Sequence, residues 1–294
     1  MKSLKTISVY ECIYEAEELV EERLINISRL NGNGKVLHME QYDAESNLTK
    51  KIEYQYQGEH VIQTQEEDLI EKNINKTVCA YKDGKLVNQK DYLNDDLLIE
   101  MVYVYNEEGQ LIKNDILNND GSLSSRYTYY YSDLITMESF FDEELTLVRK
   151  TETTKDEEGR TTKKKITEIF EDREETNEQT IEHKLVDGES FKNYYNNGKE
   201  VYEIVECFDE EGRVIETNTY DVAKNEESVI KVEFNDSGKI IKELVTTNEE
   251  EVSQTNVTFD EYDNRIGLIK RVKVADDFFE TSTYKFVNKY ESDV

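Results

Sequence analysis

The side chains with most chemical potential, three histidines and three cysteines, stand at spacings that argue against a catalytic or metal site. None of His38, His60 and His183 lies at a metal-ligand spacing from a cysteine. We therefore interpret each histidine as a surface or sheet-face residue. No phosphate-cradling glycine loop and no nucleophile elbow occurs, because the glycines stand in turn motifs instead. We expect the protein not to be an enzyme and to bind no cofactor.

The cysteines Cys12, Cys79 and Cys207 are odd in number and widely separated, so the sequence predicts no disulfide framework. Each stands beside apolar or aromatic residues in a strand-like stretch, which is typical of a small buried hydrophobe. A reducing compartment is compatible with this pattern.

Carboxylates are too numerous to single out an acid–base pair. Glycoside hydrolysis needs two acids across a groove, and a sequence cannot show that arrangement. The acidic turns at 118–121 and 209–212 could offer oxygen ligands to Ca²⁺. Neither has the alternating ligands and distant glutamate of an EF-hand, so we predict no metal site.

Charge is the strongest indication of a partner. The chain has 66 acidic and 36 basic residues, which gives a formal net charge of -30. Such a field repels phosphate backbones and anionic membrane surfaces and attracts basic proteins. We therefore predict a basic protein partner, with no nucleic acid and no membrane. The alternative is that the acids only keep a long sheet soluble and protect its edges.

One turn motif organises most of the chain. Residues 208–215 read FDEEGRVI, and the same order of aromatic, acidic turn, glycine, polar and apolar residues recurs at 105–112 and 234–241. Asn, Asp and Gly tolerate turn conformations that branched residues resist. Each copy therefore predicts a strand, a tight turn and the next strand.

The motif repeats with a constant period in the first half of the chain. Twelve residues hold about eight in a strand and about four in a turn. Short turns join only antiparallel neighbours, so we predict an all-β fold, an extended antiparallel β-meander of repeated hairpins. A parallel β-solenoid is the alternative. The aligned starts are Leu93, Tyr105, Leu117, Tyr129 and Phe141. The glycine slot along this series holds Leu97, Gly109, Gly121, Asp133 and Leu145.

Two regions depart from the motif. Apolar residues recur at helical spacing among glutamates in residues 11–27, so a short N-terminal helix competes there with a pair of strands. Residues 150–177 are mostly polar, and we interpret their first part as a long exposed hairpin. Its Lys163, Lys164 and Lys165 are expected to pair with acids across strands. We expect residues 1–294 to form a single elongated repeat domain, with a subdivision near 150–180.

The turn motif resembles the tyrosine-aspartate (YD, or Rhs-type) repeats of bacterial proteins. The resemblance covers mainly residues 93–148 and 194–242, in segments such as YNEEGQL and FDEEGRV. Unlike the large toxin shells of that family, this chain is short and has no proline. The resemblance implies long antiparallel sheets and a free-standing relative with a scaffold, binding or toxin-neutralising role.

The sequence therefore predicts a non-enzymatic, acidic binding protein, with an immunity- or antitoxin-type role as the specific form. A scaffold repeat protein and a glycan-binding or glycan-acting protein are the alternatives. Because Glu11 and later acids interrupt any signal-peptide core, we expect a cytoplasmic protein. The candidate binding surface consists of Tyr105, Tyr127, Tyr129, Tyr131, Tyr194, Phe208, Glu210 and Glu211.

Overall fold

The computed structural model describes residues 2–15, 18–186, 189–261, 263–275 and 278–292. They form 22 strands, and each strand pairs antiparallel with the one before and the one after it. The last strand, β22, also pairs with β1, so the sheet closes on itself. The all-β antiparallel meander is confirmed. The pairing of β22 with β1 adds that the meander is closed, which the sequence did not predict.

The strands have the following bounds. The first eleven are β1 Lys2–Glu15, β2 Glu18–Leu30, β3 Val36–Tyr42, β4 Leu48–Gln57, β5 His60–Asp68, β6 Asn73–Lys82, β7 Lys85–Leu93, β8 Asp96–Tyr105, β9 Leu111–Asn118, β10 Leu123–Tyr131 and β11 Ile135–Phe141. The other eleven are β12 Leu147–Lys155, β13 Thr161–Ile169, β14 Glu174–Val186, β15 Glu189–Asn196, β16 Lys199–Phe208, β17 Val214–Asp221, β18 Glu226–Phe234, β19 Ile240–Thr247, β20 Glu250–Phe259, β21 Arg265–Ala275 and β22 Phe278–Ser292.

Of the two alternatives for residues 11–27, the pair of strands is right and the helix is wrong. Residues 11–15 belong to β1 and residues 18–27 to β2, and no helix occurs in the described residues. β1 is paired on both sides, with β2 and with β22. Pairing along two ladders outweighs the helix preference of the glutamates in this stretch, because tertiary context overrides weak propensity. The solenoid alternative is also wrong, since every described strand pair is antiparallel.

Few side chains are buried in the part of the closed sheet that the structure describes. Its accessible surface is 19024 Å², whereas a compact monomer of 34.6 kDa exposes about 13,000 Å². Among the described apolar residues only Cys12, Ile52 and Val257 are buried. Side chains on both faces therefore remain partly in water. Twenty-two strands about 4.8 Å apart and tilted by about 40° give a ring about 44 Å across for a circular cross-section.

A five-residue turn joins many of the strands. In the turn at 106–110, the Asn106 N–H donates to the Gln110 carbonyl, and the Gly109 N–H donates to the Asn106 carbonyl. The fourth residue has a positive φ, which is 85° at Gly109. The same two hydrogen bonds occur at 31–35, 43–47, 118–122, 142–146, 156–160, 209–213, 235–239 and 260–264.

The predicted glycine slot is right at some positions and wrong at others. Leu145 occupies it with φ of 62°. Leu97, in contrast, lies within β8, after a two-residue turn in which Asn94 and Asp95 both have positive φ. Asp133 lies in a short turn without positive φ. A constant period of 12 thus conceals turns of different length, because a shorter turn is offset by a longer strand.

Leu145→Gly is expected to stabilise the protein. A left-handed conformation costs a residue with a branched side chain about 1–2 kcal/mol, and glycine avoids this cost. Glycine also raises the conformational entropy of the unfolded chain, which offsets part of the gain, so we expect the free energy of unfolding to rise by about 0.5–1 kcal/mol. Leu145 is 49% exposed, so little buried area is lost. Urea denaturation measures the change. Glu144→Gly, one residue earlier without positive φ, should instead destabilise, and equal shifts for both variants would contradict the explanation.

Candidate binding surface

A row of side chains crosses five neighbouring strands on one face of the sheet. The strand registers place Tyr103 opposite Asn114, Asn114 opposite Tyr127, Tyr127 opposite Phe140, and Phe140 opposite Arg149. Directly opposed residues share a face, so these side chains lie side by side. The rings of Tyr127 and Phe140 are 4.8 Å apart and tilted by 41°. We name this side of the sheet the tyrosine face.

Tyr129 and Tyr131 extend the aromatic surface along β10. Alternate residues of a strand point to the same face, so both lie on the tyrosine face, whereas Tyr130 points to the opposite side and is 55% exposed. Tyr129 stands directly opposite Glu138. A concave space of about 480 Å³, which we name the tyrosine hollow, lies over β10–β13. Its lining includes Tyr129, Tyr131, Glu138, Arg149, Lys164 and Glu168.

A second hollow lies further along the same face. Successive register partners carry the tyrosine face across to Tyr194 on β15, which stands opposite Tyr202. This space of about 520 Å³ includes Tyr194, His183, Lys192 and Glu206 in its lining. The Lys192 ammonium is 2.7 Å from the Glu206 carboxylate. The tyrosine face therefore carries two hollows.

The structure brings only part of the predicted binding surface together. Tyr127, Tyr129 and Tyr131 share one face of β10, and Tyr105 ends β8 two strands away. Tyr194 and Phe208 lie on β15 and β16, five and six strands further along from β10. Glu210 and Glu211 lie in the exposed turn that follows β16.

Tyr105 contacts residues of β7 within the sheet. Its hydroxyl donates to the Leu86 carbonyl at 2.8 Å, and the Lys85 ammonium lies 5.4 Å from its ring centroid. Glu211 is also engaged, since it accepts from Arg213 Nη2 at 3.0 Å. Tyr105 and Glu211 thus already have partners within the chain, and the β10 tyrosines, Tyr103 and Tyr194 remain as the tyrosine part of the candidate surface.

Sequence reasoning missed a series of cation–π contacts that links turns at one end of the sheet. The cation beside a turn lies over an aromatic ring on the second strand after that turn. A cation followed by an aromatic residue 20 or 21 positions later is the signal that could have found them. The pairs are Lys35–Tyr56, Lys85–Tyr105, Arg213–Phe234, Lys239–Phe259 and Arg265–Phe286.

No known protein family and no curated protein matches this sequence. Similar solved structures include TcdB2-TccC3 without its hypervariable C-terminal region, at 13% identity and a TM-score of 0.32, covering 92% of this chain and 16% of that chain. A porin-like protein from Bacteroides uniformis has 13% identity and a TM-score of 0.28, with 97% and 98% of the two chains covered. The chain thus spans 16% of the length of TcdB2-TccC3. These scores are too low to support an argument about function.

The aspartate carboxylate oxygens of the acidic turns accept hydrogen bonds from groups within the same turn. Asp209 Oδ1 accepts the N–H groups of Glu211 at 3.0 Å and Arg213 at 2.8 Å, and Oδ2 accepts from Arg213 Nε at 2.6 Å. Desolvation raises the pKa of Asp209, but these hydrogen bonds outweigh it and the pKa is lowered. Asp120 Oδ1 similarly accepts from Ser122. Throughout the described ranges, no group of three or more His, Cys, Asp or Glu side chains could hold a metal ion.

The histidines lie on separate strands and have ordinary partners. His38 Nε2 is 3.1 Å from Glu40, His60 stacks on Tyr81 with ring centroids 4.4 Å apart, and His183 Nε2 is 2.7 Å from the Thr161 carbonyl. They do not converge on a common site.

The three cysteines are free thiols. Cys12 is buried, and burial raises the pKa of its thiol. In the part of the chain that the structure describes, no helix is both long and apolar enough to cross a membrane.

The lysine patch at 163–165 divides between the two faces. Lys163 pairs across strands with Glu178 at 2.8 Å, which confirms the predicted charge pairing for this one of the three lysines. Lys164 points to the tyrosine face and lines the tyrosine hollow. The polar strands β12 and β13 do not project as a hairpin, because β11 and β14 pair with their outer sides.

Burial raises the pKa of Tyr103, Tyr129 and Tyr131, and the nearby Glu138 carboxylate raises the pKa of Tyr129 and Tyr131 further. An unfolded tyrosine ionises near pH 10. The stability that these groups contribute is therefore fully present below about pH 10 and is lost as the pH rises through the higher folded-state pKa values.

We expect the urea midpoint to fall steeply above about pH 10, together with a rise in phenolate absorbance. Tyr129→Phe should make this fall shallower, because it removes one of the perturbed phenols. Tyr130→Phe, on the opposite face of the same strand, should leave it unchanged. A fall of equal steepness in both variants would contradict the assignment.

Proposed function

We propose that this protein is a non-enzymatic binding protein that holds a basic polypeptide partner against its tyrosine face. The observation that carries the proposal is the half-exposed aromatic surface of Tyr103, Tyr127, Tyr129 and Tyr131 in a protein of net charge -30. Tyrosines are enriched at protein interfaces, and their ring faces attract cations. The net charge of -30 adds electrostatic complementarity to a basic partner.

In this proposal the net charge increases the rate of association, and the aromatic surface forms the contacts that hold the bound partner. A charge of -30 attracts a basic protein over about one Debye length, which is about 10 Å in 0.1 M salt, and raises the association rate. Burial of tyrosine rings then slows dissociation. Salt is therefore expected to reduce the association rate more than it increases the dissociation rate.

The specific role that we propose is that of an immunity- or antitoxin-type protein, in which the basic partner is a toxin. The likeness of the turn motif to YD or Rhs-type repeats supports a place among free-standing bacterial relatives of those proteins. Capture of a basic toxin on this face would block whatever surface of the toxin is covered. A cytoplasmic location is part of the same proposal.

The scaffold alternative has less support. Self-association through sheet edges needs strands with unpaired backbone groups. The described strands form a closed sheet, and each has a partner on both sides. Edge pairing between copies would require the sheet to open first.

The proposal is tested by binding of fluorescently labelled basic and acidic peptides of equal length, followed by anisotropy over a series of salt concentrations. We expect the basic peptide alone to bind, with an affinity that falls as salt rises. Combined replacement of Tyr127, Tyr129 and Tyr131 by serine should weaken binding about tenfold or more. Tyr130→Ser is the matched control and should change affinity less than about twofold. Equal weakening in the two variants, or binding of the acidic peptide, would contradict the proposal.

A further inference from the structure

We propose that the tyrosine hollow binds an arginine side chain of the basic partner, with the guanidinium stacked on Tyr129 and paired with Glu138. The inference rests on the proposed function and adds a specific site and a specific side chain to it. Three features of the hollow carry it: an unoccupied aromatic face, an adjoining carboxylate, and an arginine of this chain in the same arrangement. The protein's net charge of -30 adds a general attraction for cationic side chains.

The first feature is the contrast between the β10 tyrosines and other aromatic rings of this chain. Rings at strand ends, such as Tyr56, Tyr105 and Phe234, each have a lysine or arginine of the chain within 6 Å of the ring centroid. Within the described residues, no such cation lies over Tyr129 or Tyr131. The chain therefore leaves two half-buried aromatic rings without a cation of its own on the tyrosine face.

The second feature is the carboxylate beside Tyr129. Glu138 stands directly opposite Tyr129 in the strand register, so their side chains adjoin on the same face. The Glu138 side chain is 37% exposed, and its ion pair with Arg149 is long, at 3.7 Å. No described residue donates a hydrogen bond to it. Glu138 thus has oxygen lone pairs free for a second cation.

The third feature is the arrangement that Arg149 already adopts. Its guanidinium carbon lies 5.9 Å from the Phe140 ring centroid, and its Nη2 faces Glu138. One arginine of the chain therefore combines an aromatic ring with this carboxylate at the border of the hollow. An arginine of the partner would repeat the arrangement on Tyr129, on the other side of Glu138.

The geometry favours arginine over lysine. A guanidinium is planar, so it can stack on a tyrosine ring and still offer two N–H donors in its plane to a carboxylate. A lysine ammonium is a compact, strongly hydrated charge that gains less from such a pair of contacts. The space of about 480 Å³ accommodates a guanidinium and its aliphatic stem.

The experiment compares labelled oligo-arginine and oligo-lysine peptides of equal length at one ionic strength. We expect the arginine peptide to bind about fivefold tighter. Tyr129→Leu and Glu138→Gln should each remove most of this preference, while Tyr130→Leu should retain it. Circular dichroism confirms that each variant is folded. As an independent readout, the arginine peptide should shift the ring resonances of Tyr129 in NMR spectra, and the lysine peptide should shift them less.

The possible failures are distinguishable. Equal affinity for the two peptides, with no effect of Tyr129→Leu and with salt dependence retained, overturns the arginine site and leaves a general basic-partner function. A preference for arginine that persists in Tyr129→Leu also overturns the site, because the preference then arises elsewhere. Failure of both peptides to bind overturns the proposed function together with the site.

Discussion

Removal of β22, residues 278–292, is expected to convert a monodisperse protein into a self-associating one. β22 pairs with β1 on one side and with β21 on the other. Its loss leaves two long edge strands with rows of unpaired N–H and C=O groups, which pair readily with other chains. Light scattering after size-exclusion chromatography should show oligomers that grow with protein concentration.

Deletion of an internal hairpin is the matched control. Removing residues 222–247 joins β17 directly to the Asn248–Glu249 turn and places Asp221 opposite Glu250, where Thr247 now lies. Asp221 and Thr247 occupy the same face according to their registers, so the alternation of faces is preserved. We expect this larger deletion to leave a closed sheet of fewer strands that remains monomeric. Oligomers of both variants, or of neither, would contradict the role assigned to closure.

Gly109→Ala is expected to destabilise the protein by about 2 kcal/mol, and Gly121→Ala by about 1 kcal/mol. Both glycines have a positive φ, of 85° and 84°, so both alanines are strained. A Cβ at Gly109 would in addition meet the end of the Lys85 side chain, whereas the space around Gly121 is open. Lys85 lies over Tyr105, so its displacement also weakens that cation–π contact.

Urea denaturation of the two glycine variants measures this difference, and Lys85→Met isolates its cause. In the Lys85→Met background, the two alanine substitutions should cost nearly the same, because the displaced cation is absent. An extra cost at Gly109 that persists in this background would show that another contact is responsible.

The sequence predicts the hairpins because their information is local. The residues 209–213, DEEGR, contain an acid that accepts two backbone N–H groups and a glycine that takes φ of 78°. Both requirements can be recognised from residue type within five positions. The prediction fails at Leu97 and Asp133, where the period is right but the turn is shorter. Period alone does not distinguish a long turn with a short strand from the reverse.

Closure could not be predicted from local sequence. Neither β1 nor β22 has a local sequence pattern that predicts their pairing, since an extended strand with two partly polar faces can pair with many others. The same limitation produced the erroneous helix at 11–27. Glutamate-rich segments such as this one have helix propensity, but β1 has ladders on both sides that the sequence pattern does not show.

The arrangement of the candidate surface follows from the sequence only in part, for a related reason. Tyr127, Tyr129 and Tyr131 alternate along one strand, so their common face follows from the two-residue period. The row from Tyr103 to Phe140 depends on register across several strands, which the sequence does not give. Tyr105 and Glu211 were grouped with the surface because their contacts with Lys85 and Arg213 were not foreseen.

A disulfide across the seam between β1 and β22 would detect closure of the sheet in solution. Cys12 stands directly opposite Thr283. Opposed Cα atoms in an antiparallel pair are about 4.5–5.5 Å apart, within the range that a disulfide spans. Under mild oxidation, Thr283→Cys should yield a crosslink to Cys12 that mass spectrometry identifies in the monomer. Ser282→Cys, whose side chain points to the opposite face, should not form it. No crosslink in Thr283→Cys, or equal crosslinking in both variants, would contradict a closed sheet.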